Sequence, residues 1–299
     1  MVSIITGILE QGLIFGIMAL GVTISYKILD FPDLSVDGTF PLGGAVTAAL
    51  ISAGVNPWLC LLIAFAAGCA AGTITGFLNV KLKIKDLLSG ILMMTALYSV
   101  NYRIAGSPNV FLMGDETIFN SLSFTLPQWM APYSALLIVL VIALAAKYAL
   151  DWYLGTKSGF LLKSVGDNPQ LVVTLAENPG KIKIIGLAIS NGLVALAGSV
   201  NCQRIVQFDI SSGVGTIVMG LAAVIIGTTV FRKIKWFRMT SAVFVGMIVY
   251  KACITLAISS GLASSDMNLV ITVLFILTLL LNHLLGRKKH KPEGGKLDA

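Results

Sequence analysis

The sequence predicts an all-α membrane protein with many transmembrane helices, and three observations support this fold class. Of its 299 residues, 56% are hydrophobic and only 12% are charged, and the mean hydropathy is +0.89, which is too apolar for a soluble globular domain. Apolar windows of about 20 residues, the length that crosses a bilayer core about 30 Å thick, recur along the chain. Stretches such as ALLIVLVIALAA are apolar on all sides, whereas strands of a β-barrel would alternate apolar and polar residues.

About nine such windows follow one another along the chain. The second is short for a membrane span. We expect one transmembrane domain over residues 1–286 and a basic cytoplasmic tail over 287–299. The windows cover residues 3–29, 39–55, 57–79, 87–106, 131–150, 184–204, 213–231, 239–258 and 268–285.

The basic residues predict the orientation of these helices. Of 21 Lys and Arg, 16 fall in five clusters that the positive-inside rule assigns to the cytoplasm, at 81–85, 157–163, 181–183, 232–238 and 287–296. The N-terminus is then outside and the C-terminus inside. No charged segment precedes the first window, which predicts a first span rather than a signal peptide. Contact with anionic lipid explains the net charge of +7, so we do not expect nucleic acid as a partner.

A short repeat divides the chain into two halves. DLSVDGTFPLGGAVTAALI from Asp33 is similar to DISSGVGTIVMGLAAVIIG from Asp209, at an offset of 176 or 177 residues. This offset pairs the first window with the sixth, so it spans five helices. Because five is odd, the two halves must be inverted relative to each other, as in many transporters. The expected repeats cover about 3–106 and 184–285.

Residues that would break or bend a helix follow each aspartate: Gly38, Pro41, Gly43 and Gly44 in the first copy, and Gly213 and Gly215 in the second. Backbone groups freed at membrane depth must face protein or a watery cavity, so both stretches are candidates for a translocation pathway. Their carboxylates either contact the solute or cap the half-helices that follow, and the sequence leaves both roles open. The candidate pathway residues are Asp33, Ser35, Asp37, Asn101, Asp209 and Ser211.

The largest predicted cytoplasmic loop, 155–183, carries a short capped helix. Asn168 followed by Pro169 predicts the start of that helix, and ENPG at 177–180 predicts its end. Between them we expect about nine helical residues with an apolar stripe, which suits a groove on a partner protein; a helix resting on lipid is the alternative. The stripe consists of Leu171, Val172, Leu175 and Ala176.

Catalytic and metal sites are not expected in this chain. Cys60, Cys69, Cys202 and Cys253 have no CxxC spacing, and the two histidines, His283 and His290, form no metal motif. The sequence also contains no GxxxxGK[ST] phosphate loop, so ATP and its Mg²⁺ would bind to another polypeptide. We therefore expect a transport subunit without a cofactor of its own, and not an enzyme.

Three segments in order resemble the ABC-importer permeases for branched-chain amino acids and simple sugars. They are DLSVDG with GGAVTAAL, then VGDNPQLVVTLAENPGKIKIIGLAISNGLVALAGSV, then GVGTIVMGLAAVIIGTT. The resemblance covers nearly the whole chain and implies the type II importer fold. It implies a bacterial plasma (inner) membrane permease that forms a homodimer or pairs with a sibling. Its implied partners are two cytoplasmic ATPases and an extracytoplasmic binding protein.

The resemblance also implies that the loop helix is a coupling helix that docks on the ATPase. The residues matching that motif are Gly166, Asp167, Asn168, Pro169, Leu171, Val172, Leu175, Ala176, Glu177 and Gly180. VFRKIKW stands where sugar permeases of the family carry a Gly-rich loop. This feature resembles a subgroup that has lipoprotein binding partners and transports amino acids, aromatic ones among them. A permease for a sugar or nucleoside, and an ion-coupled secondary transporter, are the alternatives.

Overall fold

The computed structural model describes residues 2–123, 133–231 and 238–259, with six single positions between 269 and 280. This described part of the chain consists of helices joined by short connections and one small antiparallel sheet, β1–β2. The α-helices are α1 (Val2–Val22), α2 (Val36–Ser52), α3 (Pro57–Val80), α4 (Asp86–Ala105), α5 (Ile118–Ser123), α6 (Ser134–Leu154), α7 (Lys157–Asp167), α8 (Pro169–Thr174), α9 (Pro179–Ile205), α10 (Thr216–Val230) and α11 (Met239–Ser259); β1 is Asn109–Phe111 and β2 is Gln207–Asp209.

Six of the described helical segments are long and apolar enough to cross a membrane. They are Ile4–Ile28, Pro57–Val80, Ser134–Leu154, Pro179–Ile205, Ile210–Val230 and Met239–Ser259. Two further predicted spans correspond to α2, which has only 17 residues, and to α4, which carries several polar side chains. The ninth predicted span and the basic tail lie outside the described residues, apart from the single positions. An all-helical polytopic membrane protein is thus confirmed, and the count of nine spans is not.

The helix bundle has two chemically different ends. At one end, the connection after α3 carries Lys81 and Lys83, and Lys183 at the start of α9 pairs with Asp86 at the start of α4, with Nζ and Oδ1 3.2 Å apart. We call this the basic end. At the other end, β1 follows α4 and pairs with β2, which follows α9. We call this the sheet end.

Helix α9 lies at the centre of the bundle, in contact with α1, α2 and α3. Gly68 and Gly72 of α3 lie directly against the backbone of α9 at Asn191 and Leu187, where a side chain would not fit. Small residues at this spacing let helix backbones approach closely within a membrane. The centre of α9 is therefore enclosed by protein, so polar groups there must find partners inside the bundle.

Three helices start with an Asn-Pro pair: α3, α9 and α8, of which α8 is described below. Asn56 precedes Pro57, and its side chain accepts a hydrogen bond from the backbone N–H of Trp58 at 2.9 Å; Asn178 precedes Pro179 and accepts from Gly180, also at 2.9 Å. Proline has no N–H to leave unpaired in the first turn, and asparagine satisfies one of the donors that follow. These Asn-Pro pairs fix where α3 and α9 begin.

The connection between α1 and α2 does not stay at the membrane surface. After Val22 the helix continues as a π-helix, Thr23–Ile28, and the chain then turns before α2 begins at Val36, with Phe31, Asp33 and Ser35 buried in the turn. From there α2 runs to the sheet end, where Ala48 and Ile51 pack with Phe208 of β2. Helix α2 is short because it begins inside the bundle, and Pro41 removes one backbone donor from its first turns.

Candidate functional site

Asp33 is a buried carboxylate in the connection between α1 and α2. Its side chain is 1% exposed, and Oδ1 accepts hydrogen bonds from the backbone N–H of Ser35 at 2.9 Å and from the Ser35 hydroxyl at 2.5 Å. This Asp-x-Ser turn explains the tight bend that precedes α2. No Lys or Arg among the described residues forms a salt bridge with Asp33, so hydrogen bonds must stabilise its charge.

Asn191, at the centre of α9, completes the surroundings of Asp33. Its Nδ2 donates to Asp33 Oδ2 at 2.8 Å, and its Oδ1 accepts from the Thr39 hydroxyl at 2.7 Å. Ser35 Oγ, whose hydrogen goes to Asp33, lies 3.1 Å from the same Oδ1. All four side chains are at most 1% exposed. We call Asp33, Ser35, Thr39 and Asn191 the buried polar cluster. This cluster joins the connection between α1 and α2 to the middle of α9, which lies 158 residues further along the chain.

Asp209 forms the same turn at the end of β2. Its Oδ1 accepts from the backbone N–H of Ser211 at 2.9 Å and from the Ser211 hydroxyl at 2.8 Å, which matches the geometry at Asp33. A 3₁₀ turn, Ile210–Gly213, follows and leads into α10. Ser211 is exposed, whereas Ser35 is fully buried. The sequence repeat is thus also a repeat of local structure, placed in two different environments.

Asp37 is the point where α2 and α10 begin. It lies in the first turn of α2, and its carboxylate accepts from the backbone N–H groups of Gly215 at 3.1 Å and Ile217 at 2.8 Å, and from the Thr216 hydroxyl at 2.9 Å. A carboxylate is favourable near a helix N-terminus, and here one carboxylate serves two helices. Gly215 adopts φ +81°, a left-handed conformation that favours glycine, and this allows the chain to turn into α10.

Helices α2 and α10 leave Asp37 for opposite ends of the bundle. α2 ends at the sheet end, as described above. Gly227 near the end of α10 packs on Ala242, close to the start of α11, where Thr240 donates to Asp151 of α6 at 2.7 Å. Asp151 also pairs with Arg238 and lines a pocket with Lys163, whose neighbour Leu162 lies against Gly186 near the start of α9, so this region is the basic end. The bundle therefore contains two helices, of 17 and 15 residues, whose N-termini meet at a single carboxylate.

A cavity of about 400 Å³ lies beside this meeting point. Asn101 of α4 reaches its wall, and Asn101 Nδ2 donates to the carbonyl of Gly38 at 2.9 Å. Its other amide atom, Oδ1, is buried and has no hydrogen-bond partner among the described residues. A buried acceptor without a partner costs about 1–3 kcal/mol. The lining residues are Asp37, Gly38, Pro41, Met94, Thr95, Tyr98, Asn101, Ile210, Ser211 and Val214.

The predicted coupling segment forms two short helices, α7 and α8, at the basic end. Asn168 caps α8 by accepting from the N–H of Gln170 at 3.1 Å, and Pro169 follows, as the sequence predicts. Helix α8 ends at Thr174, so it is shorter than the expected nine residues, because Ala176 adopts a left-handed φ of 57°. Glu177 then pairs with Lys157 of α7, with Oε1 and Nζ 3.5 Å apart.

The apolar stripe predicted on this helix is partly buried in the bundle and partly exposed. Val172 is fully buried, and α8 packs against α9. Leu171 and Leu175 are 50% and 58% exposed, and Val173, outside the predicted stripe, is 59% exposed. Gly166 of α7 lies against the backbone of Ile28, at the end of the first helical segment. The coupling segment is thus attached to α1 and α9 and still presents an apolar surface.

The structure brings together most of the candidate pathway residues, but not in one site. Asp33 and Ser35 lie in the buried polar cluster, while Asp37, Asn101 and Ser211 line the cavity. Asp209 holds Ser211 in place beside it. Sequence reasoning missed Asn191; an amide in the middle of a long predicted span was the available signal, because such groups are expensive in hydrocarbon and need partners.

Comparison with known proteins yields one family and several relatives. The family model described as branched-chain amino acid transport system / permease component matches residues 4–281. A tyrosine transport system permease protein of Clostridioides difficile is 42% identical over 280 residues, which cover 94% of this chain and 92% of the relative. The ribose import permease protein RbsC of Escherichia coli K12 is 30% identical over 74% of this chain and 68% of its own length.

A more distant relative is a probable branched-chain amino acid transport permease protein, LivH, of Methanocaldococcus jannaschii. It is 26% identical over 84% of this chain and 87% of its own length. No solved structure matches the chain. The named relatives are thus permeases for two kinds of solute, amino acids and sugars.

Proposed function

Because this chain belongs to the family of branched-chain amino acid transport permease components, we propose that it imports an amino acid, with tyrosine as the first candidate. An ABC permease for an amino acid or a sugar is what the family and the relatives support. The narrower choice of an amino acid rests on the 42% identity to a tyrosine transport permease, compared with 30% to a ribose permease. A sugar or nucleoside remains the second candidate.

The observation that carries the proposed mechanism is the meeting of α2 and α10 at Asp37. Each matched pair of helices runs in opposite directions: α1 and α9, α2 and α10, α3 and α11. This supports an arrangement of two inverted repeats, in which half-helices at mid-depth form the solute site and one repeat rocks against the other. The cavity beside Asp37 would then open alternately to the two sides of the membrane.

The proposed orientation places the basic end in the cytoplasm. Lys81, Lys83 and Lys163 are exposed at this end, as the positive-inside rule requires of cytoplasmic segments. The sheet end then faces outside, where an extracytoplasmic solute-binding lipoprotein would deliver the solute. The N-terminus lies outside and the C-terminus inside the bacterial plasma membrane. A second copy of the chain would pair with this one to form the homodimer.

Energy for transport must come from a partner, since the chain carries no phosphate loop. We infer that cytoplasmic ATPases, which bind ATP and Mg²⁺, dock on the exposed side chains of the coupling segment. Leu171, Val173 and Leu175 present the apolar contact there, and the buried Val172 fixes α8 to the bundle. A push on α8 would pass directly to α9 and, through Gly166 and Ile28, to α1. These are the first helices of the two proposed repeats.

Substitution of Leu171 tests this docking. Leu171→Asp places a charge in an apolar interface, so we expect the affinity for the ATPase to fall at least tenfold while the permease stays folded. Leu82→Asp is the matched control, because Leu82 is 56% exposed at the same end but lies outside the coupling segment. Association is measured by co-purification of the ATPase with detergent-solubilised permease, and folding by the thermal unfolding temperature. Normal association of the Leu171 variant would overturn the docking model.

Uptake by the reconstituted complex tests the solute. Proteoliposomes that contain the permease, its ATPase and its binding protein should accumulate radiolabelled tyrosine only when ATP is present. Accumulation of ribose instead would favour the second candidate. Accumulation driven by an ion gradient without ATP would replace the importer with an ion-coupled secondary transporter, the remaining rival from the sequence.

A further inference from the structure

The cavity beside Asp37 offers its contents hydrogen-bond acceptors. Asn101 Oδ1 has no partner among the described residues. The amide orientation is fixed, because the nitrogen must face the Gly38 carbonyl, which can only accept. Oδ1 therefore lies on the side of the amide away from Gly38, and it is a free acceptor that is covered in this structure.

Two hydroxyl groups at the same cavity already donate their hydrogen bonds to other groups of the protein. Thr95 Oγ1 donates within α4, to the carbonyl of Leu92 at 2.9 Å or that of Ile91 at 3.1 Å. Ser211 Oγ donates to the carboxylate of Asp209 at 2.7 Å. A hydroxyl has one hydrogen and two lone pairs, so each of these oxygens has only lone pairs left to offer. The carboxylate of Asp37 adds negative charge to the same wall.

We propose that this acceptor-lined cavity binds the ammonium group of the solute, with Asn101 Oδ1 as the principal acceptor. An ammonium group donates three hydrogen bonds and accepts none, which matches a wall that presents lone pairs. A sugar hydroxyl must also accept, and Asn101 Oδ1, Asp37 and the two hydroxyl groups above offer it only lone pairs, which leaves the Tyr98 hydroxyl as a donor. The exposed ring of Tyr98 and the side chain of Met94 supply an apolar wall for the rest of the solute. This inference rests on the proposed import of an amino acid.

The burial of Asn101 adds a conformational requirement. Oδ1 is covered in this structure, so the ammonium group reaches it only when α4 moves relative to α2. Such movement belongs to alternating access, since a group that is unpaired in one state and paired with solute in another favours the loaded state. The contact then acts in translocation, after the binding protein has delivered the solute.

Substitutions at Asn101 separate its two amide atoms. Asn101→Leu removes both the donor to Gly38 and the free acceptor, whereas Asn101→Asp keeps an acceptor oxygen and, with its buried carboxyl group protonated, still donates to Gly38. We expect the maximal rate of tyrosine uptake to fall about tenfold or more in the Leu variant and to be largely retained in the Asp variant. Equal loss in both would assign Asn101 to packing against α2 and overturn the proposal. The readout is uptake by the complete reconstituted complex at saturating loaded binding protein.

Two threonines with the same internal hydrogen bond provide a matched control. Thr95→Val removes lone pairs from the cavity and should lower the maximal rate several-fold. Thr73 of α3 is also exposed and donates to the carbonyl of Cys69 at 2.8 Å, but it does not line the cavity, so Thr73→Val should leave uptake unchanged. Wild-type complex that moves no amino acid would refute the proposed function. Wild-type transport together with normal rates in Asn101→Leu and Thr95→Val would refute only the present inference.

Discussion

The two Asp-x-Ser turns of this protein are alike in geometry and differ in surroundings. At Asp33 and at Asp209, one carboxylate oxygen accepts from the backbone N–H and the hydroxyl of the serine two residues later, with N···O distances of 2.9 Å in both. Asp33 is 1% exposed and receives a further bond from Asn191 of α9. Asp209 is only partly buried, and its carboxylate bonds to the neighbouring Ser211. The same local sequence therefore performs two tasks.

The difference between the turns follows from their positions along the chain. The turn at Asp33 descends into the bundle from the basic end and meets the middle of α9, where only protein groups can satisfy a carboxylate. The turn at Asp209 lies next to the sheet, where its serine is open to the surroundings. A repeated motif thus predicts repeated backbone geometry, whereas the energetic weight of each copy depends on what packs around it.

Removal of the buried carboxylate should have the largest effect. Asp33→Ala removes the acceptor of Ser35 and Asn191 inside the bundle. We expect the free energy of unfolding to fall by about 3 kcal/mol and uptake to be lost. The measurement is the thermal unfolding temperature of the purified protein, alongside tyrosine uptake. An unfolding temperature like that of the unsubstituted protein would show that the buried polar cluster does not stabilise the fold.

An exchange of the two partners provides the control for this prediction. Asn191→Asp alone would place a second carboxylate against Asp33, and like charges at this distance are strongly unfavourable in a buried site. The double variant Asp33→Asn with Asn191→Asp restores one amide facing one carboxylate. We expect the double variant to be more stable than Asn191→Asp alone. A double variant at least as unstable as that single one would mean that the contact of Asp33 with Asn191 contributes little.

The exposed copy should tolerate the same change. Asp209→Ala removes acceptors only from the N–H and hydroxyl of Ser211, which surrounding water can satisfy, so we expect a loss of at most about 1 kcal/mol. The Ser211 hydroxyl, no longer bonded to Asp209, can then donate its hydrogen bond into the cavity beside Asp37. We therefore expect a moderate reduction in uptake with little change in the unfolding temperature. Equal destabilisation by Asp209→Ala and Asp33→Ala would contradict the contrast between the two turns.

The sequence predicts the members of both turns but not all of their partners. The repeat identifies Asp33 and Asp209. Gly213 and Gly215 lie in the interruption before α10, as the sequence predicts, whereas Gly38, Pro41, Gly43 and Gly44 lie inside α2, which stays helical, and the interruption there comes earlier, at Asp33. The contact of Asp37 with Gly215 and Ile217 joins positions nearly 180 residues apart. No local pattern specifies that contact, because it depends on how the two halves pack. Asn191 was missed for the same reason, since its role exists only where Asp33 meets α9.

The coupling segment shows a similar division between local and tertiary information. The cap at Asn168 and Pro169 is confirmed because capping depends on neighbouring residues alone. The face of α8 that stays exposed depends on how α8 packs against α9, and Val172 is buried there while Val173 is not. Helical spacing identified a stripe, but it could not determine which part of that stripe the protein itself covers.

Cysteine labelling tests which side of the membrane each turn faces, and we expect it to have the smallest effect on transport of these experiments. Lys27 is exposed just before the first turn, and Asn109 is exposed in β1 directly opposite Asp209. In a background that lacks the four natural cysteines, Lys27→Cys should react with a membrane-impermeant maleimide only from the cytoplasmic side, and Asn109→Cys only from outside. Neither substitution touches a hydrogen bond of the two turns, so uptake should remain normal. Reaction of both from the same side would remove the inversion on which alternating access at Asp37 depends, even if the two turns keep their matching geometry.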